Sequence, residues 1–365
     1  PAAEIGGKVL AATLAATEVA GEEVEEVMMG MVYQGGAGAN PARQAAVNAG
    51  LPYGVPSTTV NKLCGSGLKS VGLGAQAIVA GEAEVVLAGG MENMSLAPYV
   101  MRGARWGERL GHGQVEDMML LDGLWDCFYD CHMGITAENL AEEYGISRPE
   151  QDEFAARSQD RWARAQQEEA FKDEIVPIGV ATKSGEELFA VDEHPRPGTT
   201  AEQLAGLKPA FKPEGTVTAG NASGINDGAA ALLLMAAEGA RARNLTPVAH
   251  IRGSASAGVD PRVMGIGPAP AIRRLLDKTG EKLENVDLIE LNEAFAAQSL
   301  AVGRELDWDW ERVNVQGGAI AMGHAVGASG ARIATTLLHK MQREQARLGI
   351  AALCIGGGMG IAMLF

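Results

Sequence analysis

Cysteine is scarce in this chain. Four cysteines in 365 residues, none in C-x-x-C spacing, exclude a disulfide scaffold and leave a reducing compartment as the default. Aromatic residues are only 5% of the chain, so the core must be aliphatic and alanine-rich. Basic residues are outnumbered, 30 Lys and Arg against 46 Asp and Glu, for a net charge of −16. A bulk field of that sign excludes nucleic acid and anionic membranes as expected partners. An anionic ligand must then be met by a local basic patch or by helix N-termini. No run of about 18 apolar residues is free of a charge or a glycine break, so no transmembrane helix is expected. There is no G-x-x-x-x-G-K-[ST], and no G-x-G-x-x-G clearly follows a strand, which leaves nucleoside triphosphate and dinucleotide readings weak. The chain opens on Pro1 rather than Met, with no signal or transit peptide read in it. The expectation is a cytoplasmic protein, or an organellar one if a targeting segment precedes Pro1.

Glycine, by contrast, is abundant. Its 48 copies are not low-complexity but gather as Gly89-Gly90, Gly317-Gly318 and Gly356-Gly357-Gly358. Clusters of this kind at strand ends let backbone approach a ligand or another backbone closely. Hydrophobic residues at 47% and charged residues at 21% exclude a disordered chain, and the length suits about two or three packed units.

An order of elements occurs twice. In the first half, a helix over Lys8–Ala20 precedes a strand over Val24–Tyr33. A helix then opens at Asn40-Pro41, with Asn as cap and Pro at the first position. A strand over Val55–Val60 leads into a loop holding Cys64, a helix from about Ser66 to Ala80, and an apolar strand from Ala83 that ends at Gly89-Gly90. In the second half the series is a strand from Val248 to Ser256, a helix over Pro268–Thr279, a strand over Val286–Leu291 and a helix over Glu293–Leu306. A short strand over Val313–Val315 follows, then a glycine-rich loop holding His324, a helix from about Ala328 to Leu348, and strands Ile350–Ile355 and Ile361–Phe365. The two loops share a small motif, Gly65-Ser66-Gly67 after Cys64 and Ala328-Ser329-Gly330 after His324. Any α/β chain alternates, but matching loops at the same step favour a duplicated αβ unit, with the opening strand absent from the first copy. Continuous apolar strands imply mixed sheets covered by helices. Residues 91–225 interrupt the pattern. They include the capping box Ser147-Arg148-Pro149-Glu150, which opens a polar helix to about Ala170. Residues 229–236 return to a buried strand.

Cys64 follows a strand and precedes a helix. The positive end of the helix dipole favours its thiolate, and the following glycines leave room for a substrate. A buried structural cysteine is the plain alternative. Cys354, at the end of an apolar strand, reads by itself as a core residue. His324 sits in a glycine-rich loop, and Asn292 at the C-terminal end of a strand, the edge where α/β sheets gather ligands. Cys127 and Cys131 lie beside His132 without enough partners for a metal, and no metal site is expected.

These stretches together resemble the thiolase family. The matching strings are Asn61-Lys62-Leu63-Cys64-Gly65-Ser66-Gly67, Gly89-Gly90-Met91-Glu92-Asn93-Met94-Ser95, Gly220 to Ala229, Asn292-Glu293-Ala294-Phe295, Gly317 to Gly330, and Cys354-Ile355-Gly356-Gly357-Gly358-Met359-Gly360. The resemblance covers essentially the whole chain. It implies the α/β thiolase fold: two duplicated βαβαβαββ halves in five layers, αβαβα, with an inserted loop domain. The halves would occupy residues 1–94 with 226–246, and 247–365, with the insertion and its substrate-binding loops at 95–225.

The resemblance also implies roles. Cys64 is the nucleophile that carries the acyl group, and His324 activates it. Cys354 is the general acid/base. Asn292, through a water, completes one oxyanion site with His324, and the backbone N–H groups of Cys64 and Gly356 form the other. No cofactor is bound permanently; coenzyme A is substrate and product. Its contacts would be Arg196 near the adenine, Ser223 on the pantetheine, and Leu124, His132, Ala219 and Phe211 along the tunnel. Met133 and Met264 would narrow the acyl pocket, although ordinary core filling accounts for either. The implied reaction is the reversible condensation of two acetyl-CoA to acetoacetyl-CoA and coenzyme A, by a homodimer or homotetramer. The alternative is a degradative 3-ketoacyl-CoA thiolase of broader chain length. Three departures from the family pattern are expected to loosen the His324 loop or weaken affinity slightly: Ala325 in place of proline, Gln316, and Lys208 in place of arginine.

Overall fold

The computed structural model describes residues 1–183 and 185–365. In chain order the first elements are helix α1 (Ala2–Thr17), strand β1 (Glu26–Gly30), α2 (Pro41–Asn48), β2 (Ser57–Val60), α3 (Ser66–Ala80) and β3 (Val85–Asn93). Residues 94–226 then form the hairpins β4 (Tyr99–Val100) with β5 (Glu116–Asp117) and β6 (Trp125–Asp126) with β7 (Cys131–His132). Helices α4 (Met133–Glu143) and α5 (Arg148–Gln167) follow, then the hairpin β8 (Ile178–Thr182) with β9 (Gly185–Phe189) and the short α6 (Ala201–Ala205). The remaining elements are β10 (Asp227–Met235), α7 (Ala237–Ala242), β11 (Gly253–Gly258), α8 (Pro268–Thr279), β12 (Leu288–Leu291), α9 (Ala296–Leu306), α10 (Ala319–Met322), α11 (Ser329–Glu344), β13 (Gly349–Ile355) and β14 (Met359–Leu364).

Two four-stranded sheets result, ordered β10-β3-β1-β2 and β11-β14-β13-β12. In each, two parallel strands are followed by an antiparallel one: β1 and β3 then β10, and β12 and β13 then β14. Alternate residues of the strands feed different layers, as the two-residue side-chain period requires. Val27, Met29, Val85 and Leu87 pack outward against Leu10 of α1 and Ala45 of α2. Met28, Val86 and Ala88 face the other way, onto Leu68 and Val71 of α3 and Ile333 and Leu337 of α11, with Ala351 and Leu353 of the second sheet beyond. Ile350 and Ala352 turn out toward Ile272 and Leu275 of α8 and Val302 of α9. The order across the molecule is therefore helix, sheet, helix, sheet, helix.

Several element ends differ from those read in the sequence. Helix α1 begins at Ala2 rather than Lys8. Its Gly6 and Gly7 are not breaks: a Cβ there would lie 2.5 Å from Met91 Sδ and 2.7 Å from Asn48 Cβ, so the helix needs them to sit close to β3 and α2. Strand β3 runs through Gly89-Gly90 to Asn93, because β10 pairs along its full length. Helix α9 starts at Ala296, since Phe295 is extended. Val313 makes a single bridge to Ile289 rather than a strand. The hairpin β8–β9 and helix α4 carry no signal that the sequence reading used. The segment Leu63–Ala80 is long and apolar enough, by length and composition, to cross a membrane. Here Leu68, Val71 and Ala77 of this segment are core, between the two sheets, whereas Val79 is exposed.

Candidate active site

The turn between β2 and α3 is locked by its own side chains. The Leu63 N–H donates to Asn61 Oδ1 at 3.0 Å, the Lys62 N–H to Ser66 Oγ at 2.8 Å, and the Ser66 hydroxyl to Leu63 O at 2.6 Å. Leu63 is left-handed, φ 48°. A non-glycine residue held there costs about 1–3 kcal/mol, which the surrounding packing must offset. The turn presents Cys64 as a half-exposed residue whose sulfur is enclosed. Burial pushes this thiol up to about 11, although the N–H groups of Gly356 and of Cys64 itself favour the anion; the Glu92 carboxylate adds to the rise. In the free protein burial is thus the largest influence on the Cys64 thiol, whatever the end of α3 contributes toward the thiolate.

His324 lies in the loop between α10 and α11, buried and held at three points. Its backbone N–H donates to Asn226 Oδ1 at 3.0 Å. Its Nδ1 is 2.6 Å from Ser329 Oγ, and that hydroxyl already donates to Ala325 O at 2.8 Å. Ser329 Oγ can therefore only accept, which puts the ring proton on Nδ1 and leaves a lone pair on Nε2. Asn292 Nδ2 sits 3.3 Å from that Nε2, while Asn292 Oδ1 is buried without a protein partner. Burial, with the Arg332 charge, holds the imidazole down to about 4, so it is neutral at physiological pH.

The second half brings the other groups. The Asn292 N–H donates to Ala352 O at 2.9 Å, two residues before Cys354. Cys354 is fully buried, and its thiol is raised by desolvation and by the neighbouring Cys64. Cys354 shares an apolar cluster with Met133, Met264, Ala294 and Phe295, and Phe211 packs against it. A Cβ on Gly356 would lie 3.0 Å from Met133 Cε and 3.2 Å from Leu63 Cδ1. Val326, just beyond His324, packs with Leu63 and Cys64. Cys64, His324, Asn292, Cys354 and Gly356, more than 200 residues apart at the extremes, thus meet where the two halves touch.

The other expected contact residues are spread around this centre. His132 stacks on Phe211 with ring centroids 4.5 Å apart, and its Nδ1 accepts the Gly134 N–H at 3.0 Å. Ser223 donates its N–H to Ala294 O at 3.0 Å, beside the Asn292 turn. Leu124 is half-buried in a single turn over Leu120–Leu124, and Ala219 is exposed. Arg196 is exposed, its guanidinium donating to Glu193 O at 2.7 Å and Pro195 O at 3.1 Å. The Ala325 carbonyl accepts from the N–H groups of Ala328 and Ser329 and from the Ser329 hydroxyl. Gln316 is buried with both side-chain polar atoms lacking a protein partner, and Lys208 is exposed. Among the described residues no cluster of three or more His, Cys, Asp or Glu side chains could hold a metal.

Four residues at the site carried no role in the sequence reading. Ser329 and Asn226 orient His324. Glu293 accepts from Ser158 Oγ at 2.7 Å, Asn314 Nδ2 at 2.9 Å and Ile320 N at 3.2 Å, so it pins the start of the His324 loop. Glu92 pins its end. Each lies within a string that carries the family resemblance; a buried carboxylate inside such a string was the available signal.

Comparisons with known proteins agree over the whole chain. A family model for the thiolase N-terminal domain matches residues 1–238, and one for the thiolase C-terminal domain matches residues 245–365. The chain is 61% identical to an acetyl-CoA acetyltransferase of Pseudomonas aeruginosa, over 100% of this chain and 93% of that protein. It superposes on the crystal structure of the Bacillus anthracis acetyl-CoA acetyltransferase with a TM-score of 0.97, at 48% identity, covering 99% of this chain and 92% of that one. Human mitochondrial 3-ketoacyl-CoA thiolase also gives 0.97, at 46% identity, covering 100% and 92%.

Proposed function

Because the chain belongs to the thiolase family, we propose that it is an acetyl-CoA C-acetyltransferase, joining two acetyl-CoA into acetoacetyl-CoA with release of coenzyme A. The observation that carries this reading is the meeting of three groups. They are a thiol that receives the Gly356 N–H, a second buried thiol two residues before that glycine, and a neutral imidazole whose Nε2 keeps its lone pair, 3.3 Å from the Asn292 amide nitrogen.

The chemistry divides among these groups. His324 Nε2 takes the Cys64 proton as the sulfur attacks the acetyl carbonyl. The oxyanion is held by the N–H groups of Cys64 and Gly356, each such donor being worth about 3 kcal/mol. The tetrahedral species expels the coenzyme A sulfur, which takes the Cys354 proton. Cys354 thiolate then removes a proton from the methyl carbon of a second acetyl-CoA. The enolate oxygen is held by protonated His324 and by a water on Asn292 Oδ1. The enolate carbon attacks the acetyl-cysteine, and Cys64 leaves and recovers its proton from His324. Charges and protons return to the starting state.

Met133 and Met264, packed with Cys354, favour short acyl groups. Arg196 supplies the local positive charge for an acyl-CoA that the −16 chain otherwise lacks. A homo-oligomer, dimer or tetramer, would cover Trp106 and Leu110, which stand exposed in residues 101–115; light scattering reads the number of copies. Mass spectrometry after brief exposure to acetyl-CoA should place one acetyl group on Cys64. An unmodified Cys64, or an acetyl group elsewhere, rules the mechanism out. A degradative thiolase would cleave 3-ketodecanoyl-CoA as fast as acetoacetyl-CoA; the proposal expects a strong preference for the latter.

A further inference from the structure

Glu92 is wholly buried at the end of β3, where a carboxylate needs a reason to be. Its oxygens reach both halves of the molecule. Oε2 accepts the Val32 N–H at 2.9 Å and the Gly327 N–H at 2.9 Å; Oε1 accepts the Tyr33 N–H at 3.2 Å. Val32 and Tyr33 follow β1 and pack in one cluster with Leu63 and Cys64. Gly327 belongs to the His324 loop, three residues after the imidazole and two before Ser329, which sets its tautomer. The fit is tight enough to exclude a side chain at Gly327 or at Gly90: a Cβ on Gly327 would lie 2.7 Å from Oε2, and one on Gly90 would lie 2.2 Å from Gly327 O.

We propose that Glu92 is the positioning residue that sets His324 against Cys64, by holding the loop of one half to the strand end of the other with a single carboxylate. The inference rests on the acyl-transfer reading of this site but concerns a residue that touches no substrate in it. The groups that face Glu92 are Cys64, Tyr33 and Asp227. Burial pushes its carboxyl up to about 7, against the pull of the three N–H donors. Its charge therefore opposes ionisation of Cys64 while its geometry delivers the base that accomplishes it.

Two substitutions separate those effects. Glu92→Asp keeps the charge but withdraws the oxygens by one methylene. It should lower kcat about 10- to 100-fold with KM for acetyl-CoA little changed, as a small misplacement of a reacting group does, and leave the pH profile of Cys64 alkylation by iodoacetamide where it was. Glu92→Gln removes the charge and turns an amide donor toward one of the three N–H groups. It should also lower kcat, yet move the alkylation profile to lower pH. The proposal is overturned if Glu92→Asp retains kcat within about twofold, or if its loss matches the unfolded fraction measured by circular dichroism. An unshifted alkylation profile in folded Glu92→Gln equally overturns the charge coupling; should that variant not fold, Glu92→Asp decides. Failure of the acyl-transfer reading would show instead in the unsubstituted enzyme, as Cys64 that alkylates but never acetylates.

Discussion

At Cys64 two residue-scale effects compete, and their relative size decides the resting state. The end of a helix favours an anion by about 0.3–1 kcal/mol, up to about 2 in partly buried geometry. Desolvation of a fully enclosed thiol is larger and puts Cys64 at about 11. In the free enzyme its alkylation rate should therefore keep rising between pH 8 and pH 10; a rate that levels off near pH 7 would show a standing thiolate instead. Ionisation then depends on His324, whose basic Nε2 exists because Ser329 accepts from Nδ1. Ser329→Ala removes that acceptor, and kcat should fall at least tenfold, as it does when a catalytic imidazole loses the partner that fixes its tautomer. The thermal midpoint should move by only a few degrees, since one hydrogen bond is worth about 1 kcal/mol. The sequence shows Cys64 and His324 because glycines surround them. It does not show Cys354, whose neighbours Leu353 and Ile355 are equally buried, nor Ser329, whose task depends on a ring seen only in three dimensions.

Between elements, the duplicated pattern was the most legible feature, and it has a physical counterpart in the two central helices. Ser66 and Ser329 each stand at the first position of a helix, α3 and α11, and each bonds back to a carbonyl of the loop before it, Leu63 O and Ala325 O. The reactive loops are thus built by the same local device in both halves. The helices touch through glycine. A Cβ on Gly330 would sit 2.3 Å from Leu68 N, and one on Gly67 would sit 2.7 Å from Ala331 N, both backbone atoms that cannot swing aside. Gly330→Ala should cost about 1–3 kcal/mol by overpacking, read as a lower denaturant midpoint. Gly72→Ala, on the same helix α3, meets nothing nearer than Met363 Cε at 3.5 Å. It should be neutral or stabilising by up to about 1 kcal/mol, because alanine is the better helix former. Equal losses for the two variants would mean that helix propensity, not close approach, governs these positions. Strand ends were less legible for the same reason: Gly89-Gly90 looks like a stop, yet these glycines let β10 and the Gly327 carbonyl press onto β3.

Across the whole molecule, buried carboxyls give the fold a pH dependence that no single segment announces. Glu290 of β12 and Glu174 of the insertion gather around Arg332 of α11, with the nearest pair, Arg332 to Glu290, 3.8 Å apart; the more exposed Asp192 also feels the Arg332 charge. These residues come from the insertion, from β12 and from α11, so periodicity and spacing are blind to their meeting. Burial raises Glu290 from 4.5 to about 8 and Glu174 and Glu92 to about 7. Between pH 4.5 and those values the folded chain holds protons that the unfolded chain has released, so stability falls as pH rises through that window. His324 works in the opposite sense: held at about 4 against an ordinary 6.5, it makes stability rise with pH between those limits and adds nothing above 6.5. From pH 6.5 to 8 the carboxyls act unopposed by His324, and the urea midpoint should drop across that interval. The net charge of −16 pulls the same way through general repulsion, but it would act equally on any exposed carboxylate. Glu290→Gln distinguishes the two causes, since it removes one acidic group from the interior and should flatten the decline above pH 6.5. An exposed Glu186→Gln should leave the slope as it is, and if both variants flatten it alike, surface repulsion rather than the buried cluster sets the pH dependence.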